Sequence, residues 1–124
     1  MSNNKQQSLL VDDEPDVLLT EKIALEQYGF KVDSFTDPLL ALENFRANVY
    51  EMIILDIKMP TMNGFEFYRE LRKIDDKVRV CFMTAGEMNY YEQFRKELFP
   101  ALDNKCYIQK PIENEILIER LNRI

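Results

Sequence analysis

Polar side chains stand where apolar runs of this chain stop. Asp12 and Asp13 follow Ser8-Leu9-Leu10-Val11, and Asp56 follows Met52-Ile53-Ile54-Leu55. Thr84 follows the run from Val78 to Met83, and Lys110 follows Cys106-Tyr107-Ile108 and Gln109. Gathered at one place, three carboxylates, a hydroxyl and an ammonium would make a reactive set. Two carboxylates at ~4 Å and an effective dielectric of about 20 repel by roughly 4 kcal/mol. Such a cluster must hold a proton, pair with a lysine or bind a cation. Oxygen ligands from Asp12, Asp13 and Asp56 suit a hard octahedral ion such as Mg²⁺. A cation and a lysine beside an aspartate neutralise phosphoryl oxygens, so the aspartate can act as a nucleophile and form an aspartyl phosphate. Each residue also has a plainer reading. Asp12 or Asp13 could cap the helix that follows, Thr84 could be an ordinary strand-end hydroxyl, and Lys110 a solvated charge. Asp56, closing the most apolar run, is hardest to dismiss, and the combination carries the weight.

The elements that would position these residues alternate regularly. Strands are expected at 8–11, 31–35, 52–55, 78–83 and 106–108. Helices are expected at Glu14–Tyr28, from Asp37 to about Asn48, at Phe65–Lys73, at Asn89–Phe99 and at Asn114–Ile124. Val17, Leu18, Ile23, Ala24 and Leu25 carry the first helical period, with Pro15 in its first turn and Gly29 as its C-terminal cap. Asp37-Pro38 reads as N-cap and first helical residue of the second helix. Five βα units in series predict an α/β domain with a doubly wound parallel sheet, and function in such sheets gathers at the carboxyl ends of the strands. The domain is expected to run over 8–124, after a disordered segment, 1–7.

Composition narrows the function. The chain has 124 residues, net charge −6 and no histidine, so it can offer neither a phosphohistidine nor an imidazole base. Acidic charge argues against direct binding to nucleic acid or anionic lipid. Only Gly29, Gly64 and Gly86 are present, too scattered for a phosphate-cradling loop. Cys81 and Cys106 lie in apolar segments and read as buried thiols. No apolar run is long enough for a membrane span, and the polar start lacks a secretory signal, so a cytoplasmic location is expected.

In order and spacing these residues resemble the receiver domain of two-component response regulators, over nearly the whole chain. Leu10-Val11-Asp12-Asp13-Glu14 is similar to the family's acidic pair. Asp56-Ile57-Lys58-Met59-Pro60 with Asn63-Gly64 is similar to its phosphoacceptor loop, Thr84-Ala85 to its switch hydroxyl, and Tyr107-Ile108-Gln109-Lys110-Pro111 to its last strand. The resemblance implies the flavodoxin-like (βα)₅ fold with strand order 2-1-3-4-5. It also implies that Asp56 accepts a phosphoryl group from a phosphohistidine on a sensor histidine kinase or histidine phosphotransfer protein. Asp13, Asp56 and the backbone carbonyl of Lys58 would hold Mg²⁺, with Asp12 acting mainly through water. Thr84 and Lys110 would bind the transferred group. Thr84 moving inward would let the Tyr107 ring turn in and alter the face of the fourth helix, fifth strand and fifth helix, and a cis bond is expected at Lys110–Pro111. Lys58 and Gly86 would flank the hydrolytic water, and a phosphoryl lifetime of minutes or longer is expected.

Departures and rivals bear on output. The fourth helix is rich in aromatics (Tyr90, Tyr91, Phe94, Phe99), which cannot all face inward, and Lys105 and Cys106 replace the family's usual acidic pair. A homodimer through the output face stays open, as do a separate output protein and an effector domain excised from this chain. One rival is a degenerate receiver that binds partners without phosphorylation. Another is an aspartyl-phosphate hydrolase, which would want an acid where Lys58 stands. A flavodoxin-like cofactor binder would want a phosphate loop after the first strand, and none is there.

Overall fold

A computed structural model of the chain describes residues 7–85, 93, 96 and 107–123. Five parallel strands lie in the order β2-β1-β3-β4-β5, the order expected. They are β1 (Gln7–Val11), β2 (Lys31–Phe35), β3 (Met52–Asp56), β4 (Arg79–Thr84) and β5 (Tyr107–Gln109). Helices α1 (Pro15–Gln27), α2 (Pro38–Asn44), α3 (Gly64–Arg72) and a C-terminal helix (Asn114–Asn122) connect or follow them. Gln7, assigned from sequence to a disordered leading segment, instead opens β1, because it pairs in register with Lys31 of β2 and its carbonyl accepts from Glu51 N–H at 2.9 Å.

β3 is central, paired on one side with β1 and on the other with β4, and all five of its residues are buried. Helices on both sheet faces explain why its side chains do not alternate between apolar and polar. One face packs Leu9, Val11, Ile53, Leu55, Val80 and Phe82 against Ala41 of α2 and Phe65, Phe67 and Leu71 of α3. The other packs Leu10, Met52, Ile54, Cys81, Met83 and Ile108 against Leu18 and Leu25 of α1 and Leu117, Ile118 and Leu121 of the C-terminal helix. Cys81 is a buried thiol, as expected. Ile23, assigned to the buried stripe of α1, is 48% exposed.

The caps explain where helices begin and end. Asp37 accepts from Leu39 N–H at 2.9 Å with Pro38 at the first helical position. Gly29 takes φ +93°, the left-handed conformation that ends α1. Asn63 and Glu66 form a reciprocal capping box that fixes the start of α3 at Gly64. α2 stops at Asn44, short of the expected Asn48. Phe45 turns to extended backbone, buries its ring and stacks on Tyr50 at 5.6 Å between centroids. The expected fourth helix, 89–99, with Tyr90, Tyr91, Phe94 and Phe99, lies outside the described residues apart from Gln93 and Lys96, which are helical and exposed. Gly86, Lys105 and Cys106 also lie outside them.

Candidate functional site

Because the strands are parallel and in register, their carboxyl ends form one rim. Leu55 pairs with Val11 on one side and Phe82 on the other, so Asp56 follows β1 and β4 to the same level. Thr84 pairs with Gln109, which brings Lys110 to that level as well. Backbone bonds fix the loops: Ile57 N–H donates to Met83 O at 3.0 Å, and Lys110 N–H to Thr84 O at 2.8 Å. The Lys110–Pro111 peptide bond is cis, as expected.

Carboxylate oxygens of Asp12, Asp13 and Asp56 lie within 4.8 Å of one another. The Lys110 ammonium sits 2.9 Å from Asp12 Oδ2 and 3.8 Å from Asp56 Oδ1. The other Asp12 oxygen accepts from Glu14 N–H at 3.0 Å, but Glu14 is itself the N-cap of α1 and that end has no side-chain cap, so the capping role open to Asp12 from sequence is not taken. A cleft of about 370 Å³ opens over the cluster, with Asp13, Asp56, Lys58, Thr84, Ala85 and Lys110 in its walls. Every site residue named from sequence except Tyr107 and Gly86 therefore belongs to this set. Thr84 is buried, whereas the Lys58 side chain is exposed between buried Ile57 and Met59. Tyr107 lies below the rim, its ring already turned inward and stacked on Phe82 at 5.3 Å.

Gly64 lets this loop close. A Cβ at Gly64 would lie 2.7 Å from the Asp56 carbonyl oxygen and 3.0 Å from Ile57 Cα, while Gly64 N–H donates to Ile57 O at 2.8 Å. The start of α3 thus lies directly against the Asp56 backbone.

Crowding shows in the proton affinities. Burial, then Asp12 and Asp13, push the Asp56 carboxyl from an ordinary 3.8 up to about 7, with Lys110 opposing. Burial lowers the Lys110 proton affinity, but the hydrogen bond to Asp12 and the charges of Asp56 and Glu21 outweigh it, so the ammonium is held above its usual range. Three carboxylates this close, one of them with a raised proton affinity, fit a hard divalent cation.

Sequence reasoning missed a fourth carboxyl, Glu21 of α1. Burial pushes it from 4.5 up to about 7, with Lys110 opposing and the neighbouring Asp12 and Asp56 adding to the rise. Its position was a signal: Glu21 interrupts the stripe formed by Val17, Leu18, Ala24 and Leu25, where helical spacing turns it toward the sheet.

The sequence model described as "Response regulator receiver domain" matches residues 9–122. Regulatory protein VanRB of Enterococcus faecalis is 35% identical over 118 residues, covering 94% of this chain and 50% of that protein. Sensor protein EvgS of Escherichia coli is 31% identical over 116 residues, covering 94% of this chain and 9% of that protein. The chain thus spans half or less of these relatives. Among solved structures, chemotaxis protein CheY4 of Vibrio cholerae matches at TM-score 0.81 and 26% identity, covering 97% of this chain and 98% of that one. A response regulator receiver domain protein from Clostridium thermocellum matches at TM-score 0.79 and 28% identity, covering 95% and 92%.

Proposed function

The chain belongs to the response regulator receiver domain family, and on that premise we propose that Asp56 accepts a phosphoryl group from a phosphohistidine on a separate protein. Receivers are signalling switches, and these 124 residues hold no histidine, so the donor lies outside them. One observation carries the reading: Lys110 reaches Asp56 at 3.8 Å within a cluster that also holds Asp12 and Asp13.

An oxygen of the Asp56 carboxylate attacks phosphorus, the P–N bond to the donor imidazole breaks, and that imidazole leaves with the bonding pair. Asp56 must be deprotonated to attack, and its high proton affinity makes this depend on charge compensation from Lys110 and a cation. Asp12, Asp13 and Asp56, with the Lys58 carbonyl, would hold Mg²⁺, which supplies positive charge to phosphoryl oxygens. Lys110 and the Thr84 hydroxyl receive the transferred group from the cleft walls. The Lys110 N–H bond to Thr84 O couples the end of β5 to the switch residue, with the buried Tyr107 ring two residues before Gln109. Population of the phosphorylated shape is then read at the face that includes β5 and the C-terminal helix. The donor is a sensor histidine kinase or a phosphotransfer protein, and the setting is the cytoplasm; no described helix is long and apolar enough to cross a membrane.

Incubation with acetyl phosphate, with and without Mg²⁺, followed by intact mass tests this reading. One phosphoryl adduct that requires Mg²⁺ and is lost in Asp56→Ala is expected. No adduct, or one that survives Asp56→Ala, rules out Asp56 as acceptor.

A further inference from the structure

The strand that carries Lys110 to the rim, β5, has three residues, and β4 is its only neighbour among the described strands. Lys110 N–H points to β4, donating to Thr84 O at 2.8 Å. Hydrogen-bonding direction alternates along a strand, so the Tyr107 carbonyl points to the opposite side. There the Arg120 guanidinium of the C-terminal helix donates to it at 2.5 Å. The chain thus leaves Tyr107, passes Lys110, enters the helix and returns to its starting carbonyl 13 residues later. Arg120 lies beside Leu117 and Leu121, whose burial against the sheet fixes how the helix presents it. Glu119, the adjacent acid, pairs with Arg123 instead. A hydrogen bond from a charged donor is among the stronger ones a backbone carbonyl can accept.

We propose that Arg120 is a positioning residue for Lys110. By holding the outer side of β5 it keeps that strand against β4. The lysine at its end then stays with its ammonium 2.9 Å from Asp12 Oδ2 and 3.8 Å from Asp56 Oδ1. Without that bond β5 would shift more readily, and Lys110 would spend less time where a phosphoryl group on Asp56 needs it. The inference rests on Asp56 being the acceptor and Lys110 its phosphoryl partner. The residues proposed to hold Mg²⁺ follow β1 and β3, outside the loop that Arg120 closes, so the two kinds of binding should respond differently.

The test compares wild type with Arg120→Met, which keeps the reach of the side chain without its donors. Arg123→Met removes the same charge from the same helix, at an exposed site, and serves as the control. Amide hydrogen exchange without Mg²⁺ should be about tenfold faster at Lys110 in Arg120→Met, and unchanged at Ile57, whose N–H donates to Met83 O in the centre of the sheet. Calorimetric titration with beryllofluoride, a phosphoryl mimic, in Mg²⁺ should show binding about five- to tenfold weaker, the scale of one charge-assisted hydrogen bond partly transmitted. Mg²⁺ alone should bind as in wild type, and Arg123→Met should match wild type in every readout. Unchanged exchange at Lys110 or unchanged beryllofluoride affinity overturns the proposal. Equal acceleration at Ile57, an equal loss of Mg²⁺ affinity or an equal effect of Arg123→Met overturns it too, since each marks general loosening or lost charge. Failure of wild type to bind beryllofluoride would overturn the acceptor reading, and this inference with it.

Discussion

Asp56→Asn replaces the central carboxylate with a neutral group of nearly the same shape, and in the absence of Mg²⁺ it should make the protein more stable. The folded chain keeps a proton on Asp56 up to about pH 7, whereas the unfolded chain releases it near the ordinary 3.8. Between those values the folded state binds more protons, so stability falls as pH rises, and the deficit is complete above pH 7. An ionisation displaced that far corresponds to on the order of 4 kcal/mol. Lys110 offsets part of the Asp56 charge, so removing that charge recovers part of this, roughly 2–4 kcal/mol. Lys110 retains Asp12 at 2.9 Å, so no buried charge is stranded. Urea denaturation at about pH 8 in EDTA should therefore show Asp56→Asn more stable by that amount, with the gain vanishing by about pH 4. Mg²⁺ binds the charged cluster and should raise wild type more than the variant, narrowing the gap. A gain of equal size at both pH values, or no gain at the higher one, would refute the electrostatic account.

Three further outcomes can be measured. Gly64→Ala forces a methyl toward the Asp56 carbonyl, 2.7 Å away, and should cost about 2 kcal/mol or more in urea denaturation while slowing adduct formation from acetyl phosphate. Asp75, which accepts from the backbone N–H groups of Asn48 (3.1 Å), Lys77 (2.9 Å) and Val78 (3.2 Å), joins the loops before β3 and β4; Asp75→Ala should cost roughly 2–4 kcal/mol at neutral pH. Those same bonds lower the proton affinity of Asp75, so its contribution is complete above the ordinary 3.8 and disappears as pH falls through the lower folded value; acid titration of both proteins should show their stabilities converging there. Asn63→Ala removes one half of the capping box at the start of α3 and should lower stability by about 1 kcal/mol in thermal unfolding.

Sequence resolved the sheet and its rim because both are written locally. Met52 to Leu55 is apolar throughout, and Asp56 is the first charge after it, so strand and rim carboxylate are read together. The turn chemistry of Asp37-Pro38 and Gly29 was equally local. Glu21 was harder, because its meaning depends on how α1 is rotated about its axis and on what β1 and β5 bring beneath it. Asp75 was hidden for a related reason: its partner Asn48 lies 27 residues away, and the bond is made by backbone rather than by a recognisable side-chain motif. The end of α2 turned on a tertiary contact, the stacking of Phe45 on Tyr50, which overrides the helical tendency of the residues that follow.

The pairing of the strands has a mechanical consequence. Asp56 closes β3, which is held along its length by neighbours on both sides, whereas Lys110 follows β5, a three-residue strand paired only with β4 among the described strands. Arg120 braces that outer strand, donating from the C-terminal helix to the Tyr107 carbonyl at 2.5 Å. Asp56 therefore stands on the part of the rim braced from both sides, and Lys110 on the less supported margin, which Arg120 ties to the last helix like a guy-rope.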